Sequence, residues 1–87
     1  MQFEWDDRKS EANRGERGFG FRYAARIFAG HTIERVDTRR DYGETRVIAI
    51  GAVEGRVLTV VYSDRAGVRR IISARLASRK EQTLWHG

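Results

Sequence analysis

The chain has 87 residues, enough for one domain (residues 1–87) with a single small hydrophobic core. It contains no cysteine, which excludes disulfides and thiolate metal sites and leads us to expect a cytoplasmic protein. No apolar run approaches the roughly 18 residues that a membrane span needs, and the first residues, MQFEWDDRK, lack the pattern of a signal peptide.

The net charge of +5 is distributed unevenly along the chain. All of the 17 basic residues except Lys9 and Lys80 are arginines. A guanidinium group can bind phosphate in a bidentate manner, so this bias favours a nucleic-acid partner, although a GC-rich genome would also raise the arginine content. Residues 1–55 carry equal numbers of acidic and basic side chains, whereas residues 56–87 carry seven basic and two acidic ones. Codon bias alone would not confine the net charge to the last third.

The first part of the chain is predicted to be helical. A short extended segment, FEW, precedes a polar helix that begins after Asp6 as its N-cap and ends at Gly18. A second helix follows and stops at Gly30. Its apolar residues recur at helical spacing and are expected in the core: Phe21, Ala24, Ala25 and Phe28.

The remainder is predicted to form strands. Four segments rich in β-branched residues are separated by polar or glycine-containing turns: TIERVDT, ETRVIAIGAV, RVLTVVYSD and VRRIISARLA. Alternation along the last of these places Arg69 and Arg75 on one face of the sheet and Arg70 on the other. Ser78 and Glu81 have the spacing of a capping box, which predicts a short C-terminal helix.

This order of elements predicts an α+β fold. Two N-terminal helices are expected to pack on one face of an antiparallel meander sheet of about four strands, followed by the short C-terminal helix. The other face of the sheet is then left partly open.

Metal and nucleotide sites have no support in the sequence. His31 and His86 are far apart, and neither an HExxH motif nor a carboxylate triplet at ligand spacing is present. The stretch RGFGF lacks the spacing of a dinucleotide-binding loop. We therefore expect no metal and no cofactor.

The remaining reactive side chains suit phosphate chemistry. Cleavage of RNA without a metal needs a base for the 2′-hydroxyl, an acid for the leaving oxygen and cations for the charge on the phosphorane. The candidates lie where strands begin or end: Glu44, Arg46, Tyr62, Arg75, Arg79 and Glu81. Each also has a structural alternative, namely a cross-strand ion pair, a core aromatic, a solvated helix residue or a helix cap.

Three stretches of the chain together resemble one known family. FEWDDRKSEAN, DTRRDYGETRVIAIG and VRRIISARLASRKE resemble the BrnT family of bacterial type II toxins, in order and over nearly the whole chain. The resemblance implies a RelE/ParE-like fold and a ribonuclease activity that inhibits translation. It also implies a BrnA antitoxin as the partner, a ribbon-helix-helix protein that neutralises the toxin. Operator DNA would be bound only through that antitoxin.

The resemblance also implies roles for individual residues. Those assigned to catalysis are Glu44, Arg46, Arg75, Arg79 and Glu81. The arginines would hold the scissile phosphate, and Glu81 or Glu44 would be the general base. RNA-binding contacts are expected from Tyr62, Arg69, Ser78 and Lys80.

The chain departs from the family pattern at one point. Relatives usually have an asparagine, two further residues and then lysine–histidine–glycine. Here Asn13 is followed by RGERG, with Glu16 and Arg17 at the positions of the lysine and histidine. Two other functions therefore stay open. One is a catalytically inactive relative that binds the antitoxin as a co-repressor, and the other is a general basic RNA-binding domain.

Overall fold

The computed structural model describes all residues, Met1–Gly87, as an α+β fold with one five-stranded sheet and three helices. The elements in chain order are β1 (Gln2–Trp5), α1 (Asp7–Arg17), α2 (Phe21–Ala24) continued by a 3₁₀ helix (Ala25–Ala29), β2 (Ile33–Val36), β3 (Val47–Val53), β4 (Arg56–Arg65), β5 (Val68–Leu76) and α3 (Arg79–His86). None of the helices is both long enough and apolar enough to cross a bilayer.

The sheet has the strand order β1-β5-β4-β3-β2. Strands β2 to β5 form the predicted antiparallel meander. The prediction of about four strands in a purely antiparallel sheet was wrong, because the FEW segment forms a fifth strand. This strand, β1, pairs in parallel with β5, with Phe3 opposite Arg69 and Trp5 opposite Ile71. A parallel pair joins segments that are distant in sequence, so no local turn signals it.

The predicted helix ends are confirmed at α1 and α3. The Asp6 carboxylate accepts hydrogen bonds from the first backbone N–H groups of α1, and Gly18 ends that helix with a left-handed φ of 85°. At α3, the Ser78 hydroxyl accepts from the Glu81 backbone N–H, and the Glu81 carboxylate accepts from the Ser78 backbone N–H. The second predicted helix forms only one α-helical turn before it tightens into the 3₁₀ helix.

The hydrophobic core lies between the sheet and the N-terminal helical segments. We call this side of the sheet the helix face; its buried residues include Ala49, Val53, Leu58, Val60, Tyr62, Ile71 and Ala74. The 3₁₀ helix packs directly on the backbone of β3 at Gly51, where an added Cβ atom would lie 2.7 Å from the Cβ atom of Ile27.

The opposite side of the sheet carries a row of cations, and we call it the arginine face. It is defined by Arg35, Arg46, Arg65, Arg70 and Arg75. Residues directly opposite each other on neighbouring strands share a face. Arg70 lies opposite Ser63 and Arg75 lies opposite Thr59. Ser63 and Thr59 are four residues apart in β4, so they also lie on the same face. Helix α3 packs against the end of this face near Arg75, and Arg70 at the other end is exposed.

A β-bulge in β5 decides which arginines share a face. The adjacent residues Val61 and Tyr62 of β4 pair with Ser73 and Ile71, so β5 contains one extra residue, Ile72. The prediction that Arg69 and Arg75 share a face, with Arg70 on the other, was therefore wrong. Arg69 lies on the helix face, and the inserted residue brings Arg70 and Arg75 to the arginine face together.

Candidate functional site

One cluster of the predicted site residues lies where β5 meets α3. The Arg75 Nη1 and Nη2 atoms donate to Glu81 Oε1 at 2.6 Å and Oε2 at 3.0 Å, and the Ser78 backbone N–H donates to Oε1 at 2.8 Å. Glu81 is only 8% exposed. The hydrogen bonds from Arg75 outweigh the effect of burial and lower the pKa of Glu81 to about 2. A carboxylate with so low a pKa is a weak proton acceptor, so the environment of Glu81 suits it to hold Arg75 in place.

The first two residues of α3 add charge beside this pair. Arg79 and Lys80 are exposed and neither forms an ion pair with a carboxylate. Their side chains are therefore available to bind an anion. Ser78, by contrast, already uses its hydroxyl as the cap of the helix.

A second cluster lies in the loop between β2 and β3. Arg46 Nε donates to Glu44 Oε2 at 3.1 Å, and the Arg46 guanidinium lies 4.0 Å from the centre of the Tyr42 ring. The Tyr42 hydroxyl in turn donates to Asp37 Oδ2 at 3.1 Å. Hydrogen bonds from the Arg39 side chain hold the pKa of the buried Asp37 carboxyl well below its usual range. The ionised Asp37 thus anchors Tyr42, and the Tyr42 ring supports Arg46.

Sequence reasoning missed the two supporting residues of this loop. Asp37 and Tyr42 appear in the sequence as ordinary polar-turn residues. The only signal was their occurrence in the stretch DTRRDYGETR, which the family resemblance had already selected. Their function depends on the loop folding back: the Asp37 backbone N–H donates to the Arg46 carbonyl at 2.8 Å and closes the loop at its base.

Glu44 also lines a small polar cavity that the sequence did not predict. The cavity has a volume of about 300 Å³ and is lined by Glu4, Glu44, Ser63, Arg65 and Arg70. Ser63, which lines this cavity, lies four residues along β4 from Thr59, the residue opposite Arg75. The cavity is therefore about 13 Å from the place on the sheet where Arg75 lies. The structure therefore brings the predicted catalytic residues to one face, but to two separate places on it.

Tyr62 and Arg69 lie on the helix face. The buried Tyr62 hydroxyl donates to Glu34 Oε1 at 2.6 Å, and burial together with this hydrogen bond raises the pKa of Tyr62 to about 12. The Arg69 guanidinium lies 3.9 Å from the centre of the Tyr62 ring and makes two hydrogen bonds of 2.8 Å to Asp64. These contacts give both residues a structural function, and their assignment to RNA binding stays a prediction.

The largest cavity lies away from these residues. It has a volume of about 750 Å³, lies between β1 and the 3₁₀ helix, and is lined in part by Phe3, Trp5 and Phe28. None of the predicted site residues contributes to it. The structure contains no group of three or more His, Cys, Asp or Glu side chains that could hold a metal ion.

Both clusters lie within the part of the chain that matches a known protein family. Residues 5–81 match the sequence model of one protein family, described as the ribonuclease toxin, BrnT, of type II toxin–antitoxin systems. The chain belongs to the BrnT family. No curated protein gives a significant match. BrnT membership identifies a ribonuclease toxin with an antitoxin as its partner, and the matched segment extends from β1 to Glu81 in the first turn of α3.

Proposed function

We propose that this BrnT toxin is an active endoribonuclease that cleaves RNA on its arginine face without a metal ion and so inhibits translation. The observation that carries the proposal is the placement of Glu44, an accessible carboxylate, beside several arginines of one sheet face. The two N-terminal helical segments, the meander and the C-terminal helix support a RelE/ParE-like fold. The proposed partner is a BrnA-like ribbon-helix-helix antitoxin, and operator DNA is bound only through it.

Glu44 is the proposed general base. Its side chain is 42% exposed and its one hydrogen bond is to Arg46, so a 2′-hydroxyl can approach the carboxylate. Glu81, the other carboxylate assigned from the resemblance, is buried and accepts three hydrogen bonds. Its proposed role is to position Arg75.

Arg46 lies beside Glu44 and supplies positive charge to the phosphorane, while Arg75, about 13 Å away, binds a neighbouring phosphate of the same strand. A guanidinium has five N–H donors, so Arg75 and Arg46 retain donors beyond those they use on Glu81 and Glu44. Arg79 has no carboxylate partner and extends the charged surface beyond Arg75. Donors fixed in position before the substrate binds stabilise charge that develops in the transition state.

Purified toxin incubated with RNA and excess EDTA tests the proposal directly. We expect cleavage to continue and to leave 2′,3′-cyclic phosphate ends, because the nucleophile is the neighbouring 2′-hydroxyl. Glu44→Gln should lower kcat by about 100-fold, the range for loss of a general base. Arg26→Ala, which removes a half-exposed arginine from the helical side, is the matched control and should cleave normally. Cleavage that stops with EDTA and returns with a divalent cation would contradict the metal-free mechanism.

Arg75 needs a double variant because it neutralises a buried carboxylate. Arg75→Ala alone would leave Glu81 buried and unpaired, a change that typically destabilises a protein by about 3 to 5 kcal/mol. Arg75→Gln combined with Glu81→Gln removes both charges and keeps hydrogen-bonding groups. We expect this folded double variant to lose cleavage, and full activity would exclude Arg75 from the site.

A catalytically inactive co-repressor is the second candidate, favoured by Glu16 and Arg17 in place of the family's lysine and histidine. Both residues are exposed at the end of α1, next to a turn that the Asn13 side chain holds by donating to the Phe19 carbonyl at 2.9 Å. Induced expression without the antitoxin separates the candidates. Growth arrest that Glu44→Gln relieves supports the ribonuclease, whereas harmless expression supports the co-repressor.

A further inference from the structure

The polar cavity on the arginine face is built by three neighbouring strands. Ser63 of β4 lies opposite Arg70 of β5, which lies opposite Glu4 of β1, so these three side chains form one row across the sheet. Arg65 follows Ser63 by two residues along β4 and therefore shares its face. Glu44 closes the cavity from the loop before β3. Every lining residue is polar or charged, so an apolar group would gain nothing by entering.

The donors of this cavity are largely unused. Arg65 is exposed and has no ion-pair partner. Arg70 forms one ion pair, in which its Nη1 atom lies 3.3 Å from Glu4 Oε2, and its side chain is 47% exposed. Ser63 is only 6% exposed, yet its hydroxyl forms no hydrogen bond within the chain and lines the cavity. The hydroxyl reaches the cavity and is therefore free to donate to an anion there.

The bulge at Ile72 aligns this cavity with the junction of β5 and α3. Because of the extra residue, Arg70, Ser73 and Arg75 lie along β5 on the same face. Ser73 lies between the two arginines on this face and is exposed. The distance of about 13 Å between the two places exceeds the reach of one phosphate group. A single RNA strand that crosses the face would therefore contact both.

We propose that Arg65, Arg70 and Ser63 form a phosphate-binding subsite that holds the RNA backbone next to Glu44. The inference rests on the proposed ribonuclease function and adds the path of the substrate, from Arg79 and Arg75 along β5 to Arg70. An acidic segment of the antitoxin is the other anionic partner. RNA is favoured because a protein segment that binds tightly also needs apolar anchors, and the cavity offers none.

The test measures binding separately from cleavage. The probe is a short RNA in which every 2′-hydroxyl is methylated, so that the toxin cannot cleave it, and the readout is fluorescence anisotropy at fixed salt. Arg65→Ala and Arg70→Ala should each weaken binding by about tenfold, as expected for loss of one charge-assisted hydrogen bond to phosphate. Their matched controls are Arg8→Ala, an exposed arginine of α1, and Arg26→Ala, which pairs with Glu54 on the helical side. Both controls should bind like the wild type.

Glu4→Gln distinguishes phosphate binding from a purely structural role of Arg70. If Arg70 only ties β1 to the sheet through Glu4, this substitution should weaken RNA binding as Arg70→Ala does. If Arg70 binds phosphate, removing the competing carboxylate should tighten RNA binding, while Glu54→Gln should leave it unchanged. Weaker binding by Glu4→Gln would overturn the proposal.

Three further outcomes keep the subsite and the ribonuclease function distinguishable. Wild-type toxin that cleaves unmodified RNA, combined with Arg65→Ala and Arg70→Ala variants that bind the methylated RNA normally, would overturn the subsite and leave the ribonuclease function standing. The subsite would also be overturned if these variants lost affinity for the antitoxin alone. Wild-type toxin that binds the methylated RNA through both arginines but cleaves no RNA would remove the proposed activity and retain the subsite.

Discussion

Glu44 and Glu81 show how environment separates two side chains of the same chemistry. Both were assigned to catalysis from the sequence, and both are paired with an arginine in the structure. Glu81 is buried and bound by the side chain of Arg75 and the backbone of Ser78, whereas Glu44 stays accessible beside a cavity. The difference is one of burial and hydrogen-bond number, which a motif does not encode.

The ion pair of Glu81 should make the stability of the toxin depend on pH. Its folded pKa of about 2 lies below its ordinary 4.5, so the stabilisation is complete above about pH 5 and is lost as the pH falls through 4.5 toward 2. We expect the free energy of unfolding of the wild type, relative to Glu81→Gln, to fall by about 2 kcal/mol over that range, after allowing for solvent screening of the half-exposed Arg75.

Urea unfolding at several pH values between 7 and 2 measures this difference. Glu11→Gln, at an exposed position of α1, controls for the loss of one negative charge. A difference between wild type and Glu81→Gln that stays constant with pH would show that the Arg75–Glu81 pair adds no stability.

At the level of elements, the contact between the 3₁₀ helix and β3 sets the position of the whole helical layer. Gly51 lies in the middle of β3, and because glycine has no side chain, the Ile27 side chain of the 3₁₀ helix packs directly on the strand backbone there. Ile27, fully buried on the helical side of this contact, was absent from the core residues predicted from the helical spacing. The predicted core residues Phe21, Ala24 and Ala25 are buried, and Phe28 packs partly buried against the core. The prediction assumed a regular α-helix, and the tighter 3₁₀ winding brings Ile27 to the sheet as well.

Two glycine-to-alanine substitutions should therefore have opposite effects on stability. Gly51→Ala places a Cβ atom 2.7 Å from Ile27 Cβ, and the resulting overpacking should destabilise the protein by about 1 to 3 kcal/mol. Gly15→Ala lies within α1, where nothing approaches within 4 Å, and should stabilise it by about 0.5 to 1 kcal/mol. Thermal unfolding of both variants checks the pair, and equal shifts of Tm would contradict the close contact at Gly51.

At the level of the whole molecule, the two faces of the sheet have different roles. Its helix face carries the core, and its other face carries the arginines and the two clusters of candidate site residues. The bulge in β5 determines the division, because it moves Arg69 into contact with Tyr62 and leaves Arg70 on the surface proposed to bind RNA. The net charge of +5 thus acts mainly from one side.

The salt dependence of RNA binding should show whether the arginine face binds the RNA. Each phosphate that a single-stranded RNA presents to a cation contributes about −0.7 to the slope of log K against log salt concentration. Arg70→Ala should make the slope shallower by about 0.7. Arg26→Ala removes the same charge from the helical side, where Arg26 pairs with Glu54, and should leave the slope unchanged. Equal slopes for the two variants would show that the arginine face is not the binding surface.

Local patterns in the sequence determined most of the elements. The caps of α1 and α3, the four-stranded meander and the position of the glycine turns follow from side-chain chemistry within a few residues, and the structure confirms them. The three family stretches also sufficed to recognise a BrnT ribonuclease toxin, since the family match extends over the same part of the chain.

Only the tertiary structure decided how the arginines are arranged. The parallel strand β1 depends on pairing between residues 2–5 and 68–71, and the bulge depends on how β5 fits against β4. Neither contact leaves a local signal, because both join segments through backbone hydrogen bonds that any side chain permits. The stretch VRRIISARLASRKE contains Arg69, Arg70 and Arg75, but only the residue inserted in β5 determined that Arg70 and Arg75 lie on one face and Arg69 on the other.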